Sequence, residues 1–175
     1  VTAGGAGRVL LIGMMGSGKT TVGRLVAARL GCPYLDSDAE VERTTGRSVP
    51  ELFAVEGEAA FRTAESAALA DAVGRPGPSV VSVAGGAVLD PANRALLRVS
   101  GVVVWLRARA ATLALRVGDG TGRPLLGGDP PAALARLEAE RTPLYAEIAD
   151  VVVDVDDLEP AEVVERVLAA AGVGS

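Results

Sequence analysis

Histidine is missing from the 175 residues, and lysine and cysteine occur once each, at Lys19 and Cys32. Without an imidazole there is neither a histidine base nor a histidine metal ligand, and proton acceptance falls to Asp and Glu. One cysteine excludes an internal disulfide and suits a reducing compartment, so a cytoplasmic location is expected. Aromatic residues are scarce: one Trp, two Tyr and two Phe leave Val, Leu and Ala to build the core of a chain that is 49% apolar. No apolar run approaches the ~20 residues of a membrane span, so no membrane partner is expected. The opening VTAGGAGR lacks the charged-then-apolar order of a signal peptide, and residues 1–7 read as a flexible lead-in. Net charge is −5 and no basic run occurs, which argues against a nucleic-acid partner. The scattered arginines suit local anion clamps or ordinary surface ion pairs.

At this length a single domain over 1–175 is expected. RVLLIG, residues 8–13, is a short apolar run closing on glycine, the pattern of a buried parallel strand. PYLD (33–36), SVVSVAGG (79–86), GVVVWLR (101–107) and DVVVDV (150–155) predict four more. Helical spacing marks 19–30. The Ala- and Glu-rich stretch 37–73, broken at Gly46 and Gly57, predicts two or three short helices. Further helices are expected over 93–98, 110–117, 132–148 and 161–171. Strands alternating with helices predict an α/β fold, a parallel sheet covered on both faces. GDGTGRPLLGGDPP, residues 118–131, fits neither element, and a Gly-flanked loop of this length in a compact domain is more often functional than idle.

GMMGSGKT, residues 13–20, matches G-x-x-x-x-G-K-[ST] between a predicted strand and a predicted helix, the context that turns the pattern into a phosphate site. Glycines let the backbone curl so that N–H groups point inward, and the helix start adds partial positive charge. Sixteen of the seventeen basic residues are arginine, so position 19 must need what arginine lacks. A compact ammonium threads the loop to the β- and γ-phosphates, whereas a planar guanidinium is too bulky and its fork too rigid. Thr20 would place its hydroxyl on Mg²⁺. The alternative is a glycine-rich turn bearing a surface lysine. A GTPase is excluded, because its Asn-Lys-x-Asp motif needs a second lysine, and an ABC-type ATPase would be longer. A small kinase remains, and it needs an acceptor site and a lid.

LDSD supplies Asp36 and Asp38 directly after the second predicted strand, where the carboxyl ends of parallel strands face the ligand crevice. One carboxylate can hold Mg²⁺ through its water shell while the other accepts a hydrogen bond from a substrate hydroxyl. The competing reading is that Asp36 or Ser37 only caps the next helix.

The ordered set GMMGSGKTT, LDSDAEVERTTGRSVPELF, GEAAFRTAE, SVAGGAV, RPLL and ERTPLYAEIA resembles the shikimate kinase family, from about residue 9 to residue 168. The resemblance implies a five-stranded parallel sheet sandwiched by helices, a P-loop fold of the nucleoside-monophosphate-kinase type with a mobile lid at about 118–129. It implies transfer of the γ-phosphoryl group of ATP, with Mg²⁺, to the 3-hydroxyl of shikimate on the way to aromatic amino acids, by a monomer. Carried over, Gly16, Ser17, Gly18, Lys19, Thr20 and Thr21 would hold ATP, and Thr20 and Asp36 the metal. Asp38 resembles the residue that binds shikimate hydroxyls and serves as base. Arg62 and Arg141 resemble the pair that grips the substrate carboxylate, a task suited to guanidinium forks. Gly85 and Gly86 resemble the glycines lying against the ring, Arg123 the lid arginine at the phosphates, and Arg116 the arginine near adenine.

Each arginine also has a plainer reading. Arg62 has Glu58 and Glu65 one turn away, and Arg141 has Glu138, so both could be surface ion pairs. Phe53 and Phe61 could line the pocket or fill the core. Two positions depart from the family pattern: Ala84 replaces the first of three glycines, and Leu158, ahead of Pro160, stands where an arginine near adenine is common. If position 84 needs a positive φ or close approach, its Cβ would disturb the acceptor; in ordinary extended strand an alanine is harmless. An acceptor such as another cyclitol or polyol acid, or a retired nucleotide-binding module, is therefore carried beside the shikimate reading.

Overall fold

A computed structural model of the chain describes residues 7–172, so residues 1–6 of the expected lead-in lie outside the described residues. Five parallel strands form one sheet in the order β2-β3-β1-β4-β5: β1 Arg8–Ile12, β2 Tyr34–Asp36, β3 Ser79–Ser82, β4 Val102–Arg107 and β5 Val151–Asp154. β1, β3 and the middle of β4 are buried on both faces, which is why they read as unbroken apolar runs. The expected strand over 79–86 stops at Ser82. Val83 still donates to Leu11 O, but Ala84 N turns to the Ser37 hydroxyl and Ala87 N closes a turn on Ala84 O.

The helices are α1 Lys19–Leu30, α2 Ser37–Thr45, α3 Val49–Gly74, α4 Pro91–Ser100, α5 Ala110–Val117, α6 Pro130–Ile148 and α7 Pro160–Ala170. Their limits follow from local chemistry. Asp36 caps α2 by accepting from Asp38 N and Ala39 N, and Gly46 ends it. Ser48 and Glu51 form a capping box that starts α3. Gly57, at φ 83° and ψ 176°, kinks α3 into two segments, so the stretch 37–74 carries three helical pieces. The loop 118–129, expected to hold no regular element, contains a 3-10 turn at Pro124–Leu126. Leu126 is 2% exposed and anchors it to the core.

The main core is formed by the sheet and the helices packed on it. A second, smaller cluster of Val41, Leu52, Phe61 and Ala68 belongs to α2 and α3 alone. At the amino-terminal edge of the sheet the buried Arg8 guanidinium donates to Ser79 Oγ and to the carbonyls of Arg75, Gly77 and Ser100, closing that end. The opposite edge carries the chemistry. Register places Leu11 and Asp36 both beside Ser82, so the segments after β1, β2 and β3 emerge at one level. No helix among the described residues is long and apolar enough to cross a membrane.

Candidate active site

The carboxyl edge opens into a cleft of about 810 Å³, within the usual range for small-molecule sites. Its lining includes residues 16–21, Arg116, Arg123, Leu158 and Pro160 together with Asp36, Asp38, Arg62, Gly85, Gly86 and Arg141. All the singled-out site positions therefore meet in one cavity, as do Phe53 and Phe61. The two phenylalanines also pack on each other at 4.7 Å between ring centroids, so they serve core and cleft together.

The phosphate loop departs from β1 at Gly13. With φ 143° and an imaginary Cβ only 2.5 Å from Leu106 O, that position accepts glycine alone. Lys19 Nζ folds back over the loop and donates to Gly13 O at 2.8 Å and Met14 O at 3.0 Å. Burial lowers its pKa to about 8 against the pull of Asp38 and Asp36, and Arg141 and Arg123 add to the lowering. The ammonium is thus held where an arriving anion would be welcome. The Ser17 hydroxyl of the same loop is buried without a partner. Arg116 Nη1 donates to Gly16 O and Nη2 to Val155 O, each at 3.2 Å, tying the loop to the segment after β5.

Asp36 both caps α2 and faces the phosphate loop: its Oδ2 lies 3.5 Å from Thr20 Oγ1 and accepts from Tyr34 OH at 3.1 Å. Capping and cleft readings are compatible because the two carboxylate oxygens divide the tasks. Tyr34 OH also meets Ser82 Oγ at 2.9 Å, and Ser82 Oγ reaches Lys19 O at 3.1 Å. Tyr34 can lie there because Gly23 of α1 has no Cβ; one would sit 2.6 Å from the tyrosine ring. Thr20 and Asp36 offer hard oxygen donors side by side. That donor set fits Mg²⁺, which takes one or two protein ligands and keeps its waters and phosphate oxygens. Asp38 is open to the cleft water, yet its recessed position and Asp36 push its carboxyl above the ordinary range, with Lys19 pulling it back.

Three segments distant in sequence, α3, α6 and the stretch after β3, also meet on the cleft. Arg62 on α3 is half-buried and clamped by Glu65, itself 2% exposed, through bonds of 2.9 and 3.1 Å, with Glu58 at 3.4 Å. Burial raises the Glu65 pKa and Arg62 opposes the rise. Arg62 thus makes its expected helix ion pairs and lines the cleft as well. Arg141 on α6 behaves differently. It is 1% exposed, and its Nε and Nη2 have no partner; it is no solvated helix charge. A Cβ on Gly86 would lie 2.1 Å from Arg62 Nη1, and one on Gly85 3.2 Å from Arg141 Nη1. The two glycines therefore give both guanidinium groups room against the backbone. Ala84 is 5% exposed and packs with the main core.

Reading along the chain passed over Tyr34, Glu65 as a clamp, Ser82 and Tyr145 as parts of the site. Tyr34 lies two residues before Asp36 on the same face of a strand, and Tyr145 one helical turn after Arg141. Those spacings were the available signals.

Comparison with known proteins bears on what this cleft serves. Residues 15–171 match the profile described as shikimate kinase. The chain belongs to the shikimate kinase family. A shikimate kinase of Halorhodospira halophila is 48% identical over 164 residues, covering 93% of this chain and 92% of its own. A solved shikimate kinase from Acinetobacter baumannii, in complex with shikimate, is 37% identical and superposes with a TM-score of 0.89 over 93% of this chain and 90% of its own. The wider fold extends beyond the shikimate kinase family. Deoxyadenosine kinase from M. mycoides, with bound dATP, shares it at 15% identity and a TM-score of 0.59, over 94% of this chain and 99% of its own.

Proposed function

We propose that this chain transfers the γ-phosphoryl group of ATP to the 3-hydroxyl of shikimate, and that the roles divide along the cleft. The observation that carries the acceptor assignment is Arg141, a buried guanidinium with two N–H-bearing nitrogens unpaired, in the same cavity as the phosphate loop. A buried charge in that state is costly, and a carboxylate bound by the guanidinium fork would relieve it. Arg62, already aimed by Glu65, supplies the second grip. Gly85 and Gly86 let the ring approach the backbone.

On the donor side the N–H groups of residues 16–21 and the Lys19 ammonium receive the phosphates, with Arg123 closing from the loop 118–129. Thr20 and Asp36 would hold Mg²⁺, which supplies charge neutralisation at the β- and γ-phosphate oxygens. The acceptor oxygen forms its bond to the γ-phosphorus as the bond to the bridging β-oxygen breaks, and the hydroxyl proton passes to Asp38. A carboxyl raised above its ordinary range is a better acceptor for that proton than a free aspartate. The protein's share is positioning and electrostatics, because loose phosphoryl transfer asks for little covalent work. All these residues come from one chain, so the proposal extends to activity as a monomer.

The test is ADP release in the presence of Mg²⁺, with and without shikimate. Release that depends on shikimate and saturates with it is expected, and Asp38→Asn should abolish it while ATP still binds. Release indifferent to shikimate, or full turnover by that variant, would overturn the assignment.

A further inference from the structure

Tyr145 has no assigned part in the reaction, yet it sits at the junction of the acceptor end. It is fully buried on α6, one turn beyond Arg141. Its hydroxyl donates to Gly85 O at 2.7 Å, linking α6 to the segment after β3 that lines the cleft. A buried tyrosine hydroxyl needs one partner, and here that partner is the carbonyl of a residue placed against the acceptor. Gly85 is enclosed from the other sides too. A Cβ there would meet Arg141 Nη1 and Gly13 O at 3.2 Å and the Tyr145 hydroxyl oxygen at 3.4 Å. Gly13 O is also one of the two carbonyls gripped by Lys19. On its far side the Tyr145 ring packs against Trp105 of β4, with centroids 5.6 Å apart and planes inclined by 38°. Trp105 is 5% exposed and does not line the cleft, but one aromatic contact and one hydrogen bond join it to Gly85.

We infer that Tyr145 is a positioning residue for the acceptor: its hydroxyl fixes the Gly85 peptide plane, and with it the space between Gly85 and the Arg141 guanidinium. This rests on the reading of Gly85 and Arg141 as acceptor groups. The phenol's hydrogen bond goes to Gly85 and not to the phosphate loop, so its influence is expected on acceptor binding and not on ATP. Because Trp105 is the only tryptophan in the chain, its emission reports on the Tyr145 ring without labelling.

The experiment compares the full-length protein with Tyr145→Phe, which keeps the ring and deletes one oxygen. Steady-state constants for each substrate, thermal midpoints and tryptophan emission during shikimate titration are measured together. The variant should raise KM for shikimate about tenfold, the effect of losing one buried hydrogen bond, and leave KM for ATP unchanged. Shikimate should alter Trp105 emission in the wild type, and the saturating change should shrink in the variant. If Tyr145→Phe fails to fold, the wild type decides the matter: Trp105 emission that shikimate shifts and ATP alone does not supports the inference, and emission indifferent to shikimate overturns it. Unchanged KM for shikimate in a folded variant overturns the inference alone. Parallel rises in both KM values with a lower thermal midpoint also overturn it, since that is the mark of general loosening. A wild-type protein that neither binds nor phosphorylates shikimate overturns the functional reading, and this inference with it.

Discussion

Arg62 on α3 and Arg141 on α6 face one cavity and would hold one carboxylate, yet their surroundings are opposite. Arg62 rests on a small apolar cluster apart from the main core, keeps part of its surface in water, and is held by two glutamates. Arg141 lies at the bottom of the cleft, enclosed and with two nitrogens unpaired. A cation held by neighbours is in position before the ligand arrives but gains little charge compensation from it. A cation left unpaired costs the empty protein stability, and binding returns that stability as affinity. One site thus divides orientation and affinity between two identical side chains.

The sharpest way to break this comparison is Arg141→Met. Losing two charge-assisted hydrogen bonds at a buried site should raise KM for shikimate about 10²- to 10³-fold in steady-state assays. Arg62→Met should raise it less, and equal losses would erase the distinction. The next effect concerns stability without ligand. Arg62→Met strands the buried Glu65, so urea unfolding should show a loss of about 1–3 kcal/mol. Arg141→Met removes a buried guanidinium with two unpaired nitrogens and should leave the empty protein unchanged or more stable by about 1 kcal/mol. Destabilisation of similar size in both variants would refute the opposite signs.

Acidity sharpens the contrast further. Burial already holds the Glu65 pKa above its model-peptide value, so folding favours its protonated form, and losing Arg62 strengthens that preference. The deficit of Arg62→Met should therefore be small near the ordinary carboxylate range and deepen as pH rises through the folded pKa. Arg141 pulls on Glu65 more weakly than Arg62 does, so Arg141→Met should show the same trend at smaller amplitude. The smallest effect belongs to Lys19, whose pKa of about 8 means that the empty protein loses this positive charge as pH climbs past that value. Activity as kcat/KM for ATP should fall along that limb and rise along an acidic limb set by ionisation of Asp38.

The donor half was legible because it is local. One strand, one loop and one helix start occupy consecutive residues, and the only lysine marks where they converge. β1, β3 and β4 were legible for a related reason, since burial on both faces leaves unbroken apolar runs, whereas β2 and β5 at the sheet edges are only partly buried. The acceptor half depends on approaches over long separations. Nothing next to Arg141 in sequence distinguishes it from a surface charge beside Glu138; burial under the segment after β3 does. For Arg62 the ion-pair and cleft readings looked exclusive, and both hold because Glu65 is buried too. Ala84, by its place in a glycine run, left a disruptive and a harmless reading open. Its amide is satisfied by Ser37 and its methyl packs inward, facts that depend on where α2 begins.

Gly23 and Tyr34 hold a further lesson for anyone redesigning the protein. The space one residue forgoes is the space the other fills, so the gap between the P-loop helix and the aspartate-bearing strand is tuned as a single volume. Enlarging position 23 while trimming position 34 would exchange bulk across that seam and sever the phenol's link to Asp36 in the same stroke.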